Sequence, residues 1–282
     1  MPSSAETAAA TGKNAPANAA LGNAALGNAW EIVQIPVLND NYVYLLHDAP
    51  SGATAVVDPA EAVPILNAAE KRGWRISHIL NTHHHGDHVG GNLAIKQAHG
   101  ATVIGPAYDR DRIPGIDIAV DEASGAEIAG HQAQVFFVPG HTRGHIAYYF
   151  ADSAALFCGD TLFSIGCGRL FEGTPAQMWS SLLKLRALPD ETRVYCAHEY
   201  TESNCRFAVT VDGDNADLQR KVAAVKSERA AGRPTIPARL GEEKASNPFL
   251  RADQPDLMRH FPDSHNDPVA VFAAIRGAKD RF

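Results

Sequence analysis

Between Thr82 and His88 the chain reads Thr-His-His-His-Gly-Asp-His, so four of its 13 histidines fall within six positions. No half-buried strand or amphipathic helix carries such a polar run in its interior, so the segment has to sit at the end of an element. Ile76–Leu80 before it has the composition of a strand, and Gly90-Gly91 and a helical stretch come after. The cluster is therefore expected in a loop at a strand's carboxyl end, the edge at which α/β folds hold ligands. Imidazole and carboxylate are donors that zinc, iron and manganese all accept. In an extended loop, side chains two residues apart share a side. His83 and His85 can then reach one ion, and Asp87 and His88 a second close by. His84 points away, as a packing residue or a support for its neighbours. An affinity tag would be terminal and uninterrupted, and this run is neither.

The same grammar recurs along the chain. Pro139–His145 follows a strand-like Gln134–Val138, Gly159-Asp160-Thr161 follows Ala155–Cys158, and Ala197-His198-Glu199 follows Arg193–Cys196. A lone histidine after a strand is more often structural, so none of these carries weight singly. Together they make seven candidate ligands, His83, His85, Asp87, His88, His141, Asp160 and His198, which divide between two ions if one carboxylate bridges them.

Around these points the pattern alternates. Ile32–Val37, Tyr42–Leu46, Ala53–Val57, Thr102–Ile104 and Ile146–Phe150 read as strands. Glu61–Arg72 has helical spacing and stops at Gly73, and Pro175–Leu188 is a helix capped by Thr174 with Pro175 at its first position. After Tyr200 the character turns helical, with Asn215–Ala231 and a final helix capped by Asp267 that runs to about Ala278. These features give a β-rich domain over 30–200 and a smaller, mostly helical one over 201–282. Residues 1–29 are Ala, Asn, Gly, Ser and Thr with little else, and the motif Ala-Leu-Gly-Asn-Ala occurs twice. They cannot bury enough apolar area to fold and are expected to form a flexible tail.

The 282 residues contain no apolar stretch long enough to cross a membrane. A net charge of -7 without a long basic run argues against nucleic acid or an anionic lipid surface as partner. Four cysteines without a C-x-x-C pair read as reduced thiols of a cytoplasmic protein. Cys167 has no Cys-His signature beside it and is not expected to be a nucleophile.

The Thr-His-x-His-x-Asp-His motif resembles that of the metallo-β-lactamase superfamily. The resemblance implies an αββα sandwich, of class α+β, with the metals along one edge. It further implies that His83, His85 and His141 hold one ion, that Asp87, His88 and His198 hold the other, and that Asp160 bridges them. Asp58, in Val-Val-Asp-Pro, matches the superfamily's residue that orients ligands from behind. A strand-end turn would use an aspartate there as readily.

A closer likeness covers nearly the whole chain after the tail. It rests on Asn39-Asp40-Asn41-Tyr42, Pro139–His145, Gly159–Phe163, Gly166-Cys167-Gly168-Arg169, Glu172-Gly173-Thr174, Cys196–Tyr200, Asn247–Arg251 and Arg276-x-x-Lys279-Asp280. In these the chain is similar to the glyoxalase II (hydroxyacylglutathione hydrolase) family. The likeness implies hydrolysis of S-(2-hydroxyacyl)glutathione, chiefly S-D-lactoylglutathione, to glutathione and D-lactate in methylglyoxal degradation. A hydroxide between the two ions would be the nucleophile, with Asp87 and Asp160 as the catalytic carboxylates. Zinc is the first expectation for both ions, with iron or manganese as substitutes. Arg169, Tyr200, Arg276 and Lys279 match the family's substrate contacts, in a molecule expected to be monomeric. Phe171 stands where many members carry an aromatic hydroxyl, and Gly277 where some carry a second basic residue. A hydrogen bond is missing at Phe171, though a backbone contact could remain. The competing reading within the superfamily is a mononuclear-iron glutathione persulfide dioxygenase, which typically lacks the full helical domain. A metal-binding relative without activity would be expected to have lost a ligand, and none is missing.

Overall fold

In the strand Asn41–His47 every residue except the last is buried, with Tyr42, Tyr44 and Leu46 packed in one core and Val43 and Leu45 in another. A strand apolar on both faces needs a layer on each side, and the computed structural model, which describes residues 29–282, supplies both. The first sheet has the order β1 (Glu31–Val37), β2 (Asn41–His47), β3 (Thr54–Val57), β4 (His78–Leu80), β5 (Thr102–Pro106) and β6 (Ile118–Val120). Its first three strands are antiparallel neighbours and the rest run parallel. The parallel crossovers carry α1 (Ala62–Glu70) and then α2 (Gly86–Val89) and α3 (Asn92–His99). Helices α1 and α3 cover the Val43 face, where Ile65, Ala69 and Ile95 meet Val56, Ile79 and Val103.

The second sheet is built from β7 (Ala126–Ile128), β8 (His131–Phe137), β9 (Ile146–Phe150) and β10 (Ala155–Gly159), which neighbour in sequence order. A short hairpin, β11 (Leu162–Phe163) and β12 (Gly166–Cys167), leads to α4 (Pro175–Arg186). Strand β13 (Arg193–Cys196) then pairs parallel to β10. Beyond it come α5 (Thr201–Val211), α6 (Ala216–Ala230), β14 (Ala238–Arg239), α7 (Leu240–Ser246), α8 (Pro255–Met258) and α9 (Pro268–Arg281). Strand β14 adds to β13, so the helical stretch contributes an edge to the second sheet. Between the sheets, Tyr42, Tyr44 and Val57 pack with Tyr148, Phe150 and Phe157, and α4 and α9 close the outer face through Trp179, Leu182, Phe272 and Ile275. This is the αββα sandwich with a helical C-terminal region.

Local chemistry accounts for the helix ends. Thr174 and Gln177 form a reciprocal capping box on α4, Asn215 caps α6 and Asp267 caps α9. Two expectations are corrected. The strand expected over Ile76–Leu80 begins only at His78, because the Ile76 N–H is drawn to His99 Nδ1 at 3.0 Å. The histidine cluster is extended only as far as His85, and Asp87 and His88 belong to the helical turn α2. Gly90 and Gly91 let that turn lie against the backbone of Pro59–Glu61, where a Cβ on either would collide. The tail expected over 1–29 lies, but for Ala29, outside the described residues.

Candidate metal centre

Strand ends from both sheets deliver the site: Asp58 follows β3, His83 and His85 follow β4, His141 follows β8, Asp160 follows β10 and His198 follows β13. The two sheets are stitched at this edge by an isolated bridge between Asn41 and His198, and by Tyr42 N–H donating to the Ala197 carbonyl at 2.7 Å.

Two groups of donors form there. In the first, His83 Nε2 and His141 Nε2 each lie 3.1 Å from His85 Nδ1. His141 Nδ1 donates to the Arg169 carbonyl at 2.8 Å, and His83 Nδ1 faces Thr82 Oγ1 at 3.1 Å. Thr82 Oγ1 spends its own proton on Asp58 Oδ2, so His83 Nδ1 is the donor. Both rings therefore turn lone pairs inward. In the second group, His88 Nε2 and His198 Nε2 are each 3.5 Å from Asp87 Oδ2. Their outer nitrogens meet Asp58 Oδ2 at 3.1 Å and Asp40 Oδ1 at 2.8 Å. Such outer carboxylates fix a ring's tautomer and its aim. Asp160 stands between the groups, with Oδ2 3.4 Å from His141 Nε2 and Oδ1 3.5 and 3.3 Å from His88 and His198 Nε2.

His88 Nε2 and Asp160 Oδ1 are buried without a hydrogen-bond partner. Orphaned buried polar atoms are costly, and two of them facing each other amid inward lone pairs suit cations. Within each group the donor atoms lie within 4.8 Å of one another. The electrostatics point the same way. Burial, then the neighbouring rings, lowers His83 and brings His85 down to about 4. Burial also lowers His141, so the first group consists of neutral donors. Burial opposes charge on Asp160, yet His88, His198 and His141 hold its carboxyl well below the usual range. The neighbouring His88 imidazole does the same for Asp87. Burial likewise opposes charge on His88 and His198, but Asp160 and the other carboxylates raise both. A proton does there what a cation would.

Asp58 binds Thr82 through N–H and hydroxyl, at 2.8 and 2.7 Å, as well as His88. His84 turns away from the donors toward Asp109, 3.1 Å off. Sequence reasoning missed Asp40 behind His198, and Asn41, whose Nδ2 donates to Asp87 Oδ2 at 3.1 Å. It also missed His145, buried with Nε2 accepting from Asp160 N–H at 3.1 Å. The segments Asn39–Tyr42 and Pro139–His145 held the signal, but only as motif matches.

Arg169, Phe171, Tyr200, Arg276 and Lys279 line one cavity of about 370 Å³ that also reaches His141 and Asp160. Tyr200 stacks on His198, centroids 4.7 Å apart. Phe171 is exposed and stands edge-on to His85 and His141. Its N–H, the backbone contact left open above, is engaged by the His141 carbonyl at 3.2 Å. Arg276 differs from a solvated helix-end cation: only 6% exposed, it donates to the Cys167 carbonyl at 2.8 Å and to Asp280 at 3.0 Å. Arg169 donates to the same Asp280 oxygen at 3.3 Å. Lys279 Nζ lies over the rings of Phe207 and Phe282 and donates to the Ser203 carbonyl at 3.4 Å. A larger cavity of about 620 Å³ adjoins Asp40 and Glu199, but Arg229, the one cation lining it among the described residues, faces Glu199 at 3.7 Å. It does not suit an anionic ligand.

All four cysteines are free and buried. Burial pushes the Cys167 thiol up to about 11, Cys196 and Cys205 up to about 12, and Cys158 well above its ordinary value. Iodoacetamide at pH 8 is therefore expected to leave the native protein unmodified and to label four sites after denaturation. A thiol alkylated as fast as free cysteine would reopen a nucleophilic role for it.

The metallo-beta-lactamase superfamily matches residues 38–198, and the hydroxyacylglutathione hydrolase C-terminus matches residues 199–282. The chain is 58% identical over 252 residues to a hydroxyacylglutathione hydrolase of Methylococcus capsulatus, covering 89% of this chain and 98% of that one. It is 57% identical to one of Rhodospirillum rubrum with the same coverage. In fold it is similar to a metallo-beta-lactamase from Staphylococcus aureus, with a TM-score of 0.60 and 20% identity over 89% of this chain and 71% of the other. With two adjoining family matches spanning residues 38–282 and more than half its residues shared with such enzymes, the chain belongs to the hydroxyacylglutathione hydrolase family of the metallo-β-lactamase superfamily.

Proposed function

We propose that this enzyme hydrolyses S-(2-hydroxyacyl)glutathione, chiefly S-D-lactoylglutathione, to glutathione and D-lactate. The observation that carries the reading is the continuity of one cavity, which begins at His141 and Asp160 and reaches Arg169, Arg276 and Lys279. A glutathione thioester has an electrophilic carbonyl at one end and peptide carboxylates at the other, and it needs this pairing of chemistries. His83, His85 and His141 would hold one divalent ion, and Asp87, His88 and His198 the other, with Asp160 between the two groups as the ligand they would share. Zinc suits the donor set first, and iron or manganese fits where it is more available. Bound there, such ions supply Lewis-acid polarisation and acidify water enough for it to act as a nucleophile at neutral pH.

The chain's own residues do the rest. Asp58 and Asp40 keep the ring protons of His88 and His198 outward. Asp87 and Asp160 stay ionised and balance the positive charge. Burial, then Asp40, keeps the Tyr200 phenol protonated, so it can donate to the peptide portion. Arg169, Arg276 and Lys279 pair with the carboxylates, and Phe171 shields the reacting end from water. The acyl–sulfur bond breaks and oxygen from water replaces sulfur. The sulfur leaves as a thiolate whose parent pKa is about 8.5, so no general acid is required.

Residues 30–200 act as the catalytic part and 201–282 as the glutathione-binding part, in a cytoplasmic monomer. No helix among the described residues is long and apolar enough to cross a membrane. The test is hydrolysis of S-D-lactoylglutathione by purified protein, with metal content measured on the same sample. Turnover with about two ions per chain is the expected result. A protein loaded with two ions that leaves this thioester intact would overturn the reading.

A further inference from the structure

Behind the first donor group three loops converge on two carboxylates that line no part of the substrate cavity. Glu172 takes the Arg112 guanidinium in a fork, Nη2 to Oε1 at 2.6 Å and Nη1 to Oε2 at 3.2 Å. Its Oε2 also accepts the Arg143 N–H at 2.9 Å, and its own N–H donates to the His141 carbonyl at 3.3 Å. Glu172 thus grips the segment that carries His141 from two sides. Arg112 reaches onward, to Asp109 Oδ1 at 3.3 Å and against His84 Nε2. Asp109, its side chain 1% exposed, holds His84 Nδ1 at 3.1 Å. His84 sits between His83 and His85, so this arm grips the other segment of the group. Gly144 closes over Asp109, where a Cβ would collide with the carboxylate. The second donor group is held by other residues: Asp58 and Asp40 meet His88 and His198, and Asn41 donates to Asp87.

We propose that Arg112, Glu172, Asp109 and His84 form a positioning tie that sets the spacing of His83, His85 and His141, and with it the affinity of that one ion site. The inference rests on the two-ion reading above. Three donors on two independent loops lose conformational freedom when an ion gathers them, and a rigid tie removes that cost beforehand. Losing an outer partner of a metal ligand typically costs about 10–100-fold in affinity. Arginine suits the task because its planar fork grips a carboxylate at two points, which an ammonium cannot do.

The experiment titrates metal-free protein with Zn²⁺ against a chromophoric chelator, resolving two binding steps in wild type, Glu172→Gln, Arg112→Met and Arg112→Lys. One step is expected to weaken about 10–100-fold in Glu172→Gln and Arg112→Met while the other holds. Arg112→Lys should recover part of the loss. Melting of the metal-free proteins is the control for a merely structural effect, and the variants are expected to melt like wild type. Equal weakening of both steps, or no change in either, would overturn the tie. Wild-type protein that takes up no zinc would instead overturn the two-ion reading on which it rests.

Discussion

Asp160→Ala protein is expected to lose at least one ion per chain and about 10³-fold or more in turnover, the largest effect of any single substitution here. Three imidazoles, those of His88, His141 and His198, meet this carboxylate at 3.3–3.5 Å, so it faces both donor groups. Gly168 lies so close to the Asp160 carbonyl that a Cβ would collide, and His145 holds the Asp160 N–H. These contacts hold the Asp160 backbone in place. Asp160→Asn separates charge from shape. It keeps the shape and one carbonyl oxygen, but removes the negative charge that two cations side by side require. One ion per chain and a similar loss of turnover are expected of it. Metal analysis and turnover on the same preparations check both variants. An Asp160→Ala protein with two ions and wild-type turnover would sink the two-ion mechanism.

The donors were legible because the same arrangement, a strand followed by histidine or aspartate, recurs four times in one chain, although a lone histidine in that setting is more often structural. Their geometry was less so. Strand alternation placed His83 and His85 on one side, but it could not foresee that Asp87 and His88 lie on a helical turn, which depends on Gly90 and Gly91 meeting the backbone after β3. The outer partners were harder still. Asp40 lies 158 positions from His198, and Glu172 lies 60 from Arg112. Each sits in a turn or loop whose composition any turn could have. Short strands such as Ile118–Val120 and Ala126–Ile128 span three residues each and show no alternation to detect. Arg276 shows the limit from the other side. A cation near a chain terminus reads as solvated, and its burial comes from Phe249 and the Cys167 carbonyl, far away in sequence.

Removing the cations should act on binding rather than on chemistry. Arg169→Ala and Lys279→Met are each expected to raise KM for S-D-lactoylglutathione about 10-fold while kcat changes little, as loss of uniform binding does. A hydrogen bond to a charged group contributes about 1.5–3 kcal/mol, or roughly 10–100-fold. The lower end applies because Arg169 is more than half exposed and water screens it. Methionine at 279 retains the apolar stem that packs on Phe207 and Phe282, so the loss is that of charge. Arg276→Ala is a poorer test, since it also frees the Cys167 carbonyl and empties buried space, and should lower stability along with affinity. The sharper version changes the substrate. If Arg169 and Lys279 pair with the glycine carboxylate, a lactoylglutathione amidated there should bind wild type as weakly as the variants bind the parent. The variants should then lose little more on amidation. A carboxylate oxygen already sits at Arg169, where Asp280 draws it and Arg276 to a common point. Effects that simply multiply would mean that the cations act somewhere other than on that carboxylate.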